Sequence, residues 1–465
     1  MSNDNKSSRK KINKIKSSVF LRGMSIAKMT LNAGASLASH NIKNTFSSDD
    51  DKKNTWSRFV KNQAQFISTE LGELKGSLMK AGQMLSMYGE HFLPAEANEF
   101  LKNLQSDSPA LSWEAIEPVL KKNLTAEQLA KLEIEHEALS CASLGQVHRA
   151  RIKASGKKIV LKIQYPNVDK AIASDLKALR TLLGILKLVP KDLDLDPLFA
   201  EVQEMLTQET DYEFEARLTH EFGERLKDDH RFVVPKVYFE FSNKKVLATS
   251  YEAGERIDSE AVQSLSLARR NQVALNFLDL YFKELFLWKT VQTDPHIGNY
   301  RLRINDNGED QILLFDFGAT REYDAEFMNR YKRMIKGCVF SDEDMFQKAS
   351  LELGFLHPDD PPPLRELFEE FCFESVEPFL EPDDPRVAPG ILDAEGGYDW
   401  KRSDLPQRLS KKIITVLRQY AWRAPPREII FLDRKTGGVF IFMGVLRAHC
   451  RGREILLRYL ENSSD

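Results

Sequence analysis

The segment "TDPHIGNY", residues 293–300, combines an acid and an amide that could do phosphate chemistry. Four residues separate Asp294 from Asn299, and a further acid, Asp316 of "FDFG", follows after a predicted hairpin. Magnesium prefers oxygen ligands in octahedral geometry and is usually held by one or two protein groups together with phosphates. Asn299 and Asp316 are therefore candidate ligands of a nucleotide-bound magnesium ion. Asp294 is then the candidate to orient or deprotonate a nucleophile.

Lys162 ends the strand-like segment "IVLK" and is a candidate phosphate-binding lysine. A carboxylate partner must fix such an ammonium group. The predicted helix containing "ETDYEFEA" offers Glu209, Asp211, Glu213 and Glu215. Asp211 and Glu215 have the i, i+4 spacing of one helical face. Lysine, acidic helix, Asp-x4-Asn and Asp-Phe-Gly follow one another in the order found in protein kinases, and this order is far more specific than any single element.

Two features differ from ordinary protein kinases. "SCASLGQV" stands in place of the glycine-rich loop, and Gln292-Thr293 precede Asp294 where His-Arg is usual. Backbone amides can bind phosphate whatever the side chains are. Replacing glycine, however, largely restricts the loop to negative φ and leaves less room for a phosphate to approach its backbone. We therefore expect a different nucleotide preference or binding geometry.

These departures, together with "KAGQ" at 80–83, resemble the UbiB/AarF family of atypical kinase-like proteins associated with ubiquinone (coenzyme Q) biosynthesis, over about residues 60–450. The resemblance implies a KxGQ motif with Lys80, Gly82 and Gln83, an ExD motif with Glu209 and Asp211, an ion pair of Lys162 with Glu215, and a nucleotide loop of Ser140, Cys141, Ala142 and Ser143. It also implies Asp294 as the catalytic aspartate, Asn299 and Asp316 as metal ligands, and a family C-terminal segment in "FLDRKTGGVF" at 431–440. Ser140-Cys141 stand where alanines are usual, so the choice between ATP and ADP stays open.

The resemblance also implies a regulatory role for the KxGQ helix. In the family this helix lies over the active site and the ExD acids reach toward it, which is thought to block protein substrates. Lys80 and Gln83 have the i, i+3 spacing of one helical face. Gly72, Gly76 and Gly82 would allow this helix to approach another backbone closely.

Composition narrows the functional classes. The formal net charge is -3, and basic stretches interleaved with aromatic residues are absent, so we expect no nucleic-acid partner. The four cysteines form no Cys-x-x-Cys pair and no Cys/His cluster, which favours free thiols and argues against structural zinc. No run of 18 apolar residues occurs, so we expect no membrane-spanning helix.

The N-terminal segment has its own character. Between Asp4 and Asp49 it contains no acidic residue and many lysines and arginines. Each basic side chain near an anionic bilayer contributes roughly 1 kcal/mol to binding. Three interpretations remain open: a disordered tail, a membrane-attached helix with a loose apolar stripe, and a mitochondrial transit peptide.

Hydrophobic periodicity predicts the elements that must position these residues. We expect two helices within 56–104, two short capped helices before Leu132, and then a small antiparallel sheet. Long helices are expected at 167–189, 195–228 and 259–288, with strands near 233–240 and 244–250. A hairpin should turn at Asn307-Gly308. The segment 322–460 should be mostly helical.

The sequence therefore predicts an α+β, bilobal protein-kinase-like fold with an N-terminal helical extension and a mostly helical C-terminal lobe. The expected domains are a basic arm (1–55), a helical extension carrying KxGQ (56–131), an N-lobe (132–252) and a C-lobe (253–465). The expected cofactors are ATP or ADP and Mg2+.

The resemblance implies Mg-dependent ATPase or small-molecule kinase activity that supports ubiquinone biosynthesis at a membrane surface. The alternatives are a nucleotide-binding pseudokinase scaffold and a protein kinase acting in trans. Expected partners are an adenine nucleotide, an anionic membrane lipid or quinone-precursor lipid, and ubiquinone-biosynthesis proteins. The expected location is cytoplasmic with peripheral attachment to the inner face of the membrane, or alternatively the mitochondrial matrix.

Overall fold

A computed structural model describes residues 76–88, 95–103, 110–142, 144–186, 188–189, 195–419 and 427–461. The basic arm, residues 56–75 of the helical extension with Gly72, and Ser143 lie outside the described residues. The chain divides into two units. The first comprises residues up to 217 together with 236–251, and the second comprises 218–235 together with the chain from 252 onward.

Helices dominate the described residues. The helices that begin in the first unit are α1 (Ser77–Tyr88), α2 (Ala95–Asn103), α3 (Trp113–Asn123), α4 (Ala126–Ala130), α5 (Val168–Ile185), α6 (Asp196–Glu209) and α7 (Tyr212–Leu226). The helices of the second unit are α8 (Glu260–Gln263), α9 (Leu267–Phe282), α10 (Ala325–Phe340), α11 (Glu343–Glu352), α12 (Pro362–Ser375), α13 (Leu405–Gln419), α14 (Arg427–Val445) and α15 (Arg453–Glu461).

The strands are short. They are β1 (Leu132–Ala142), β2 (Gly145–Ile152), β3 (Lys158–Gln164), β4 (Phe232–Val233), β5 (Val246–Ser250), β6 (Glu255–Arg256), β7 (Thr290–Gln292), β8 (Tyr300–Arg303), β9 (Gln311–Leu314) and β10 (Thr320–Glu322). One-turn 3-10 helices occupy Phe239–Phe241, Ile297–Asn299 and Glu377–Phe379.

The first unit is built on an antiparallel sheet with the strand order β1-β2-β3-β5, which confirms the small sheet predicted from Leu132 onward. Ile159, Leu161 and Ile163 alternate along β3 and are fully buried, because successive strand side chains point to opposite faces. This alternation directs the residues between them, including Lys162, to the other face of the sheet.

α1 packs against α5 and α6 in the first unit. Leu78, Ala81 and Leu85 recur at helical spacing and are buried, and Ser77 donates a hydrogen bond to Asp175 of α5. The helix that carries KxGQ is therefore anchored by an apolar face and by a buried polar contact.

The helix predicted over 195–228 is two helices, which corrects the sequence prediction. α6 ends at Glu209, and α7 begins at Tyr212. Asp211 lies between them: its backbone oxygen accepts from Glu215 N, and its side-chain Oδ1 accepts from Glu213 N and Phe214 N at 3.1 Å. Aspartate is a preferred N-cap because its side chain satisfies the free amides of the first turn, so it ends one helix and starts the next.

The second unit contains a sheet of order β4-β9-β8-β6 and a pair of strands, β7 and β10. β8 and β9 form the predicted hairpin, with Gly308 in the turn at φ +81°. The predicted helix 259–288 is interrupted. α8 and α9 are separate helices, and α9 continues into a π-helical turn, Lys283–Trp288, that stops at Lys289 with φ +53°. Beyond β10 the described chain is mostly helical, as predicted.

Residues 218–235 fall in the second unit, where β4 pairs in parallel with β9 and Phe222 packs on Phe317 at 4.7 Å between ring centroids. No helix within the described ranges is long and apolar enough to cross a membrane.

Candidate functional site

Lys162 and Glu215 form an ion pair in the first unit. The register of the sheet places Lys162 between Val147 of β2 and Leu247 of β5. Its Nζ lies 2.7 and 2.8 Å from the two Glu215 oxygens, so both oxygens accept a hydrogen bond. Glu215 is buried in the first turn of α7, and the ammonium lies 5.1 Å from the centre of the Tyr212 ring. A charged pair this well bonded holds the lysine in one orientation.

The predicted nucleotide loop lies at the tight connection between β1 and β2. Ala142 pairs with Gly145, Cys141 pairs with Gln146, and Ser140 pairs with Val147. Gly145 admits no side chain, because an added Cβ would lie 2.5 Å from the backbone oxygen of Ile163. This glycine brings the turn against β3, the strand that carries Lys162.

Lys80 of the KxGQ motif pairs with Glu209 of the ExD motif. The distance from Nζ to Oε1 is 3.0 Å, and the two side chains are only 11% and 18% exposed. Gly82 is buried and Gln83 half-buried on the same helix. Asp211, the other ExD acid, caps α7, so it does not share a helical face with Glu215 as its spacing predicted. Within the first unit, α1, which carries KxGQ, thus contacts the C-terminal end of α6. Glu215 lies on the next helix, α7.

Asp294 and Asn299 are joined by hydrogen bonds in the second unit. Asn299 Nδ2 donates to the Asp294 backbone oxygen at 3.0 Å and to Asp294 Oδ2 at 3.3 Å. The Asn299 backbone oxygen accepts from Phe315 N at 2.9 Å, which places Asn299 beside the residue before Asp316. The β8/β9 hairpin therefore brings Asp294, Asn299 and Asp316 together.

Asp316 has the backbone conformation of a left-handed helix, with φ +59°. A non-glycine residue in this region has a strained backbone, and such residues are concentrated at functional sites. Asp316 Oδ1 accepts from Gly318 N at 3.3 Å.

The residues present fit magnesium. Since the Asn299 amide nitrogen is used in binding Asp294, its amide oxygen is the atom that could be a ligand, with the Asp316 carboxylate as the second. Within the described ranges no group of three or more His, Cys, Asp or Glu residues could hold a metal by itself. Two oxygen donors of this kind suit a magnesium ion that takes its other ligands from phosphates and water.

α14 supplies two contacts to residues 293–299, the predicted catalytic loop, that the sequence reasoning did not assign. Arg434 Nη2 forms an ion pair with Asp294 Oδ1. One turn later, Gly438 packs against Pro295 so closely that an added Cβ would lie 2.0 Å from the proline Cβ. In the sequence, the i, i+4 spacing of the arginine and the glycine in "FLDRKTGGVF" indicates that they share a helical face, but it does not identify what that face contacts.

Comparisons with known proteins agree with the kinase motif order. The sequence profile described as "ABC1 atypical kinase-like domain" matches residues 103–350. The atypical kinase COQ8, mitochondrial, of Schizosaccharomyces pombe is 29% identical over 86% of this chain and 63% of its own length. The atypical kinase coq-8, mitochondrial, of Caenorhabditis elegans is 30% identical over 83% of this chain and 49% of its own length. The chain thus spans less than two thirds of these two relatives.

A solved structure supports the fold. Rv3197 of Mycobacterium tuberculosis, determined as a complex with erythromycin, aligns with a TM-score of 0.58 and 24% identity. The alignment covers 88% of this chain and 97% of that one. At this level of identity the likeness shows the fold alone.

Proposed function

The chain belongs to the ABC1 atypical kinase-like family, and from that premise we propose that it binds ATP or ADP with Mg2+ and acts as an ATPase or small-molecule kinase supporting ubiquinone biosynthesis. The α+β, kinase-like fold is consistent with this family. The substrate class is taken from the resemblance noted in the sequence.

Each candidate residue has a role in this proposal. Lys162, oriented by Glu215, binds nucleotide phosphates with a fixed ammonium group. Asn299 and Asp316 hold the metal through oxygen atoms. Asp294 positions the attacking hydroxyl or water and accepts its proton. Magnesium, when bound, neutralises charge that develops on the transferring phosphoryl group.

The observation that carries the proposal is the convergence of Asp294, Asn299 and Asp316 on one side of a hairpin. An acidic residue on an ordinary protein surface needs neither a strained backbone nor a neighbouring amide that is hydrogen-bonded to it. Here Asn299 binds Asp294 through two contacts, and Asp316 keeps a positive φ. Such an arrangement is typical of residues held for chemistry.

Substituting Asp316→Asn tests the metal assignment. The variant should lose magnesium-dependent nucleotide binding and turnover, because an amide is a poor replacement for an anionic metal ligand. Calorimetric titration with ATP, with and without Mg2+, measures the binding, and phosphate release measures turnover. Asp306→Asn, in the exposed hairpin turn, makes the same chemical change away from the site and should leave both unchanged. Unchanged hydrolysis in the Asp316 variant would remove the assignment.

A pseudokinase scaffold is a second candidate function, and one contact favours it. The carboxylate of Asp294 is already engaged by Arg434 and Asn299. A scaffold would bind nucleotide and partner proteins without releasing phosphate. Measuring ATP turnover together with nucleotide-dependent partner binding separates the two functions.

A protein kinase acting in trans is the third candidate. In the resembled family the KxGQ helix is thought to block protein substrates, and here Lys80 of that helix is fastened to Glu209. Phosphorylation of added proteins by the purified chain would restore this candidate.

Location and lipid partners are also part of the proposal. The two relatives described above are named mitochondrial, so the mitochondrial matrix is one location, and the cytoplasmic side of a membrane is the other. We propose anionic membrane lipids or phenolic quinone precursors as small-molecule partners. Phosphate release assayed with anionic liposomes and with phenolic precursors distinguishes a membrane effect from a substrate effect.

A further inference from the structure

The side chain of Gln292 joins the backbones of Asp294 and Asp316. Its amide nitrogen, Nε2, donates to the Asp294 backbone oxygen at 2.8 Å and to the Asp316 backbone oxygen at 3.0 Å. A glutamine amide has two N–H groups, so both are used on these two residues. Gln292 is 3% exposed, which means that water does not compete for these bonds.

Gln292 is itself held from the other side. Its Oε1 accepts from the Tyr300 hydroxyl at 3.3 Å. The amide therefore cannot rotate without losing bonds at both ends.

Tyr300 lies close to a buried ion pair. Lys435 Nζ is 2.8 Å from Glu284 Oε2. Gln292, Glu284, Lys435 and Tyr300 are all at most 4% exposed. Separating a buried pair of charges is costly, because each charge would remain in the interior without its partner. The surroundings of Tyr300 are therefore held in one arrangement.

Gln292 also supports the strained residue. A non-glycine residue at positive φ has a strained backbone and persists only where its surroundings hold it. The Asp316 backbone oxygen, which accepts from Gln292, belongs to such a residue. Loss of this bond removes one of the contacts that hold Asp316 at positive φ, and the direction of its carboxylate depends on that backbone conformation.

We infer that Gln292, held by Tyr300 beside the buried Lys435–Glu284 pair, is a positioning residue that sets Asp316 relative to Asp294 for metal binding. The inference rests on the proposed function, because it assumes that Asp316 is a magnesium ligand. Gln292 acts through the two aspartates and touches neither metal nor substrate.

The test uses the full chain and the substitution Gln292→Met, which removes the two donors at similar volume without burying a charge. Affinity for a non-hydrolysable ATP analogue is measured with and without Mg2+. The gain in affinity on adding Mg2+ should fall at least tenfold in the variant, whereas affinity without Mg2+ should change little. Hydrogen exchange of the nucleotide-free protein should quicken at 293–299 and 315–318.

Gln311→Met is the matched control. Gln311 lies in the same unit, and its Nε2 also donates to a backbone oxygen, that of His230, at 2.8 Å. This variant loses a comparable bond but should keep the magnesium gain and the exchange rates of the catalytic loop.

The outcomes separate the inference from the proposed function. If the wild type shows no magnesium gain, the metal assignment fails, while the exchange result still reports on the positioning by Gln292. If the wild type shows the gain and Gln292→Met retains it, with unchanged exchange, the inference is overturned. Should Gln292→Met fail to fold, Tyr300→Phe removes only one hydroxyl and should reduce the gain by about threefold. An unchanged gain and unchanged exchange in that variant would also overturn the inference.

Discussion

Lys80 and Glu209 are far apart in the chain, yet their side chains meet at 3.0 Å, with most of both hidden from solvent. This ion pair fastens the KxGQ helix to the end of α6. It is the contact in the first unit that joins the two motifs setting the resembled family apart from ordinary kinases.

Glu209→Gln should destabilise the first unit by about 1–3 kcal/mol, between the values for an exposed and a fully buried ion pair. The reason is that the partly buried Lys80 ammonium loses the attraction of the Glu209 charge. Urea unfolding measures the loss of stability. Limited proteolysis should cleave the variant closer to α1 than it cleaves the wild type. Glu117→Gln breaks an exposed i, i+4 pair with Lys121 and should leave stability unchanged within error. Equal stability of both variants would contradict the role given to the Lys80–Glu209 pair.

Lys162→Met should weaken nucleotide affinity by about 10- to 100-fold, because a hydrogen bond from a charged donor contributes roughly 1.5–3 kcal/mol. Glu215→Gln should act in the same direction and less strongly, since it leaves the lysine in place but removes the charge that orients it. Calorimetric titration with ADP gives both values. Lys158→Met, at the exposed start of the same strand, is the control that should bind like wild type.

Gly438→Ala should cost about 1–3 kcal/mol through overpacking, because the new methyl group collides with Pro295. It should also lower turnover, since Pro295 follows Asp294 directly. The neighbouring Gly437 has open space where its Cβ would lie, so Gly437→Ala should stabilise the helix by roughly 0.5–1 kcal/mol. Thermal unfolding measures the stability of the two variants, and phosphate release measures their turnover. If Gly438→Ala and Gly437→Ala changed the stability in the same direction, the packing described for α14 would be refuted.

His148 makes the stability of the first unit depend on pH. Its Nδ1 donates to the Glu135 backbone oxygen at 2.9 Å, and its Nε2 accepts from Gln146 Nε2 at 2.8 Å. Gln146 cannot reverse its amide, because its Oε1 accepts from Leu111 N. Burial lowers the pKa of His148 below 6.5, the Glu135 contact opposes this, and the nearby His136 adds to it.

The sign follows from linkage. The unfolded chain binds the His148 proton more readily than the folded chain, so stability is fully present above pH 6.5 and is lost as the pH falls below it. The slope from one such group is at most about 1.4 kcal/mol per pH unit. Urea unfolding from pH 8 to pH 5 should show this loss, and His148→Gln should flatten it. An identical slope in that variant would exclude His148 as the cause.

Much of the candidate site could be predicted from the sequence because its signals are local. The Asn-Gly turn marks the hairpin, and strand alternation fixes the side of the sheet on which Lys162 lies. The types and order of Asp294, Asn299 and Asp316 are visible without coordinates. Their roles in metal binding and catalysis remain predictions.

The missed features depend on contacts between distant segments. Helical periodicity alone could not show that Asp211 caps α7, because the apolar pattern continues across the break. The pairings of Arg434 with Asp294 and of Lys435 with Glu284 are set by how α14 packs, which no short window of sequence contains. Gln292 differs in the sequence from the residue usual in kinases, but its two bonds are visible only in the structure.

The contacts of α14 with Asp294 and Pro295 also bear on synthesis. A ribosome makes the segment around Asp294 long before it makes Arg434 and Gly438, and chains emerge at roughly 5–20 residues per second. During that interval the nascent chain lacks the guanidinium and the helix surface that contact Asp294 and Pro295. The arrangement of this segment is therefore complete only after α14 has been translated, and a product truncated before α14 would retain Asp294 without these contacts.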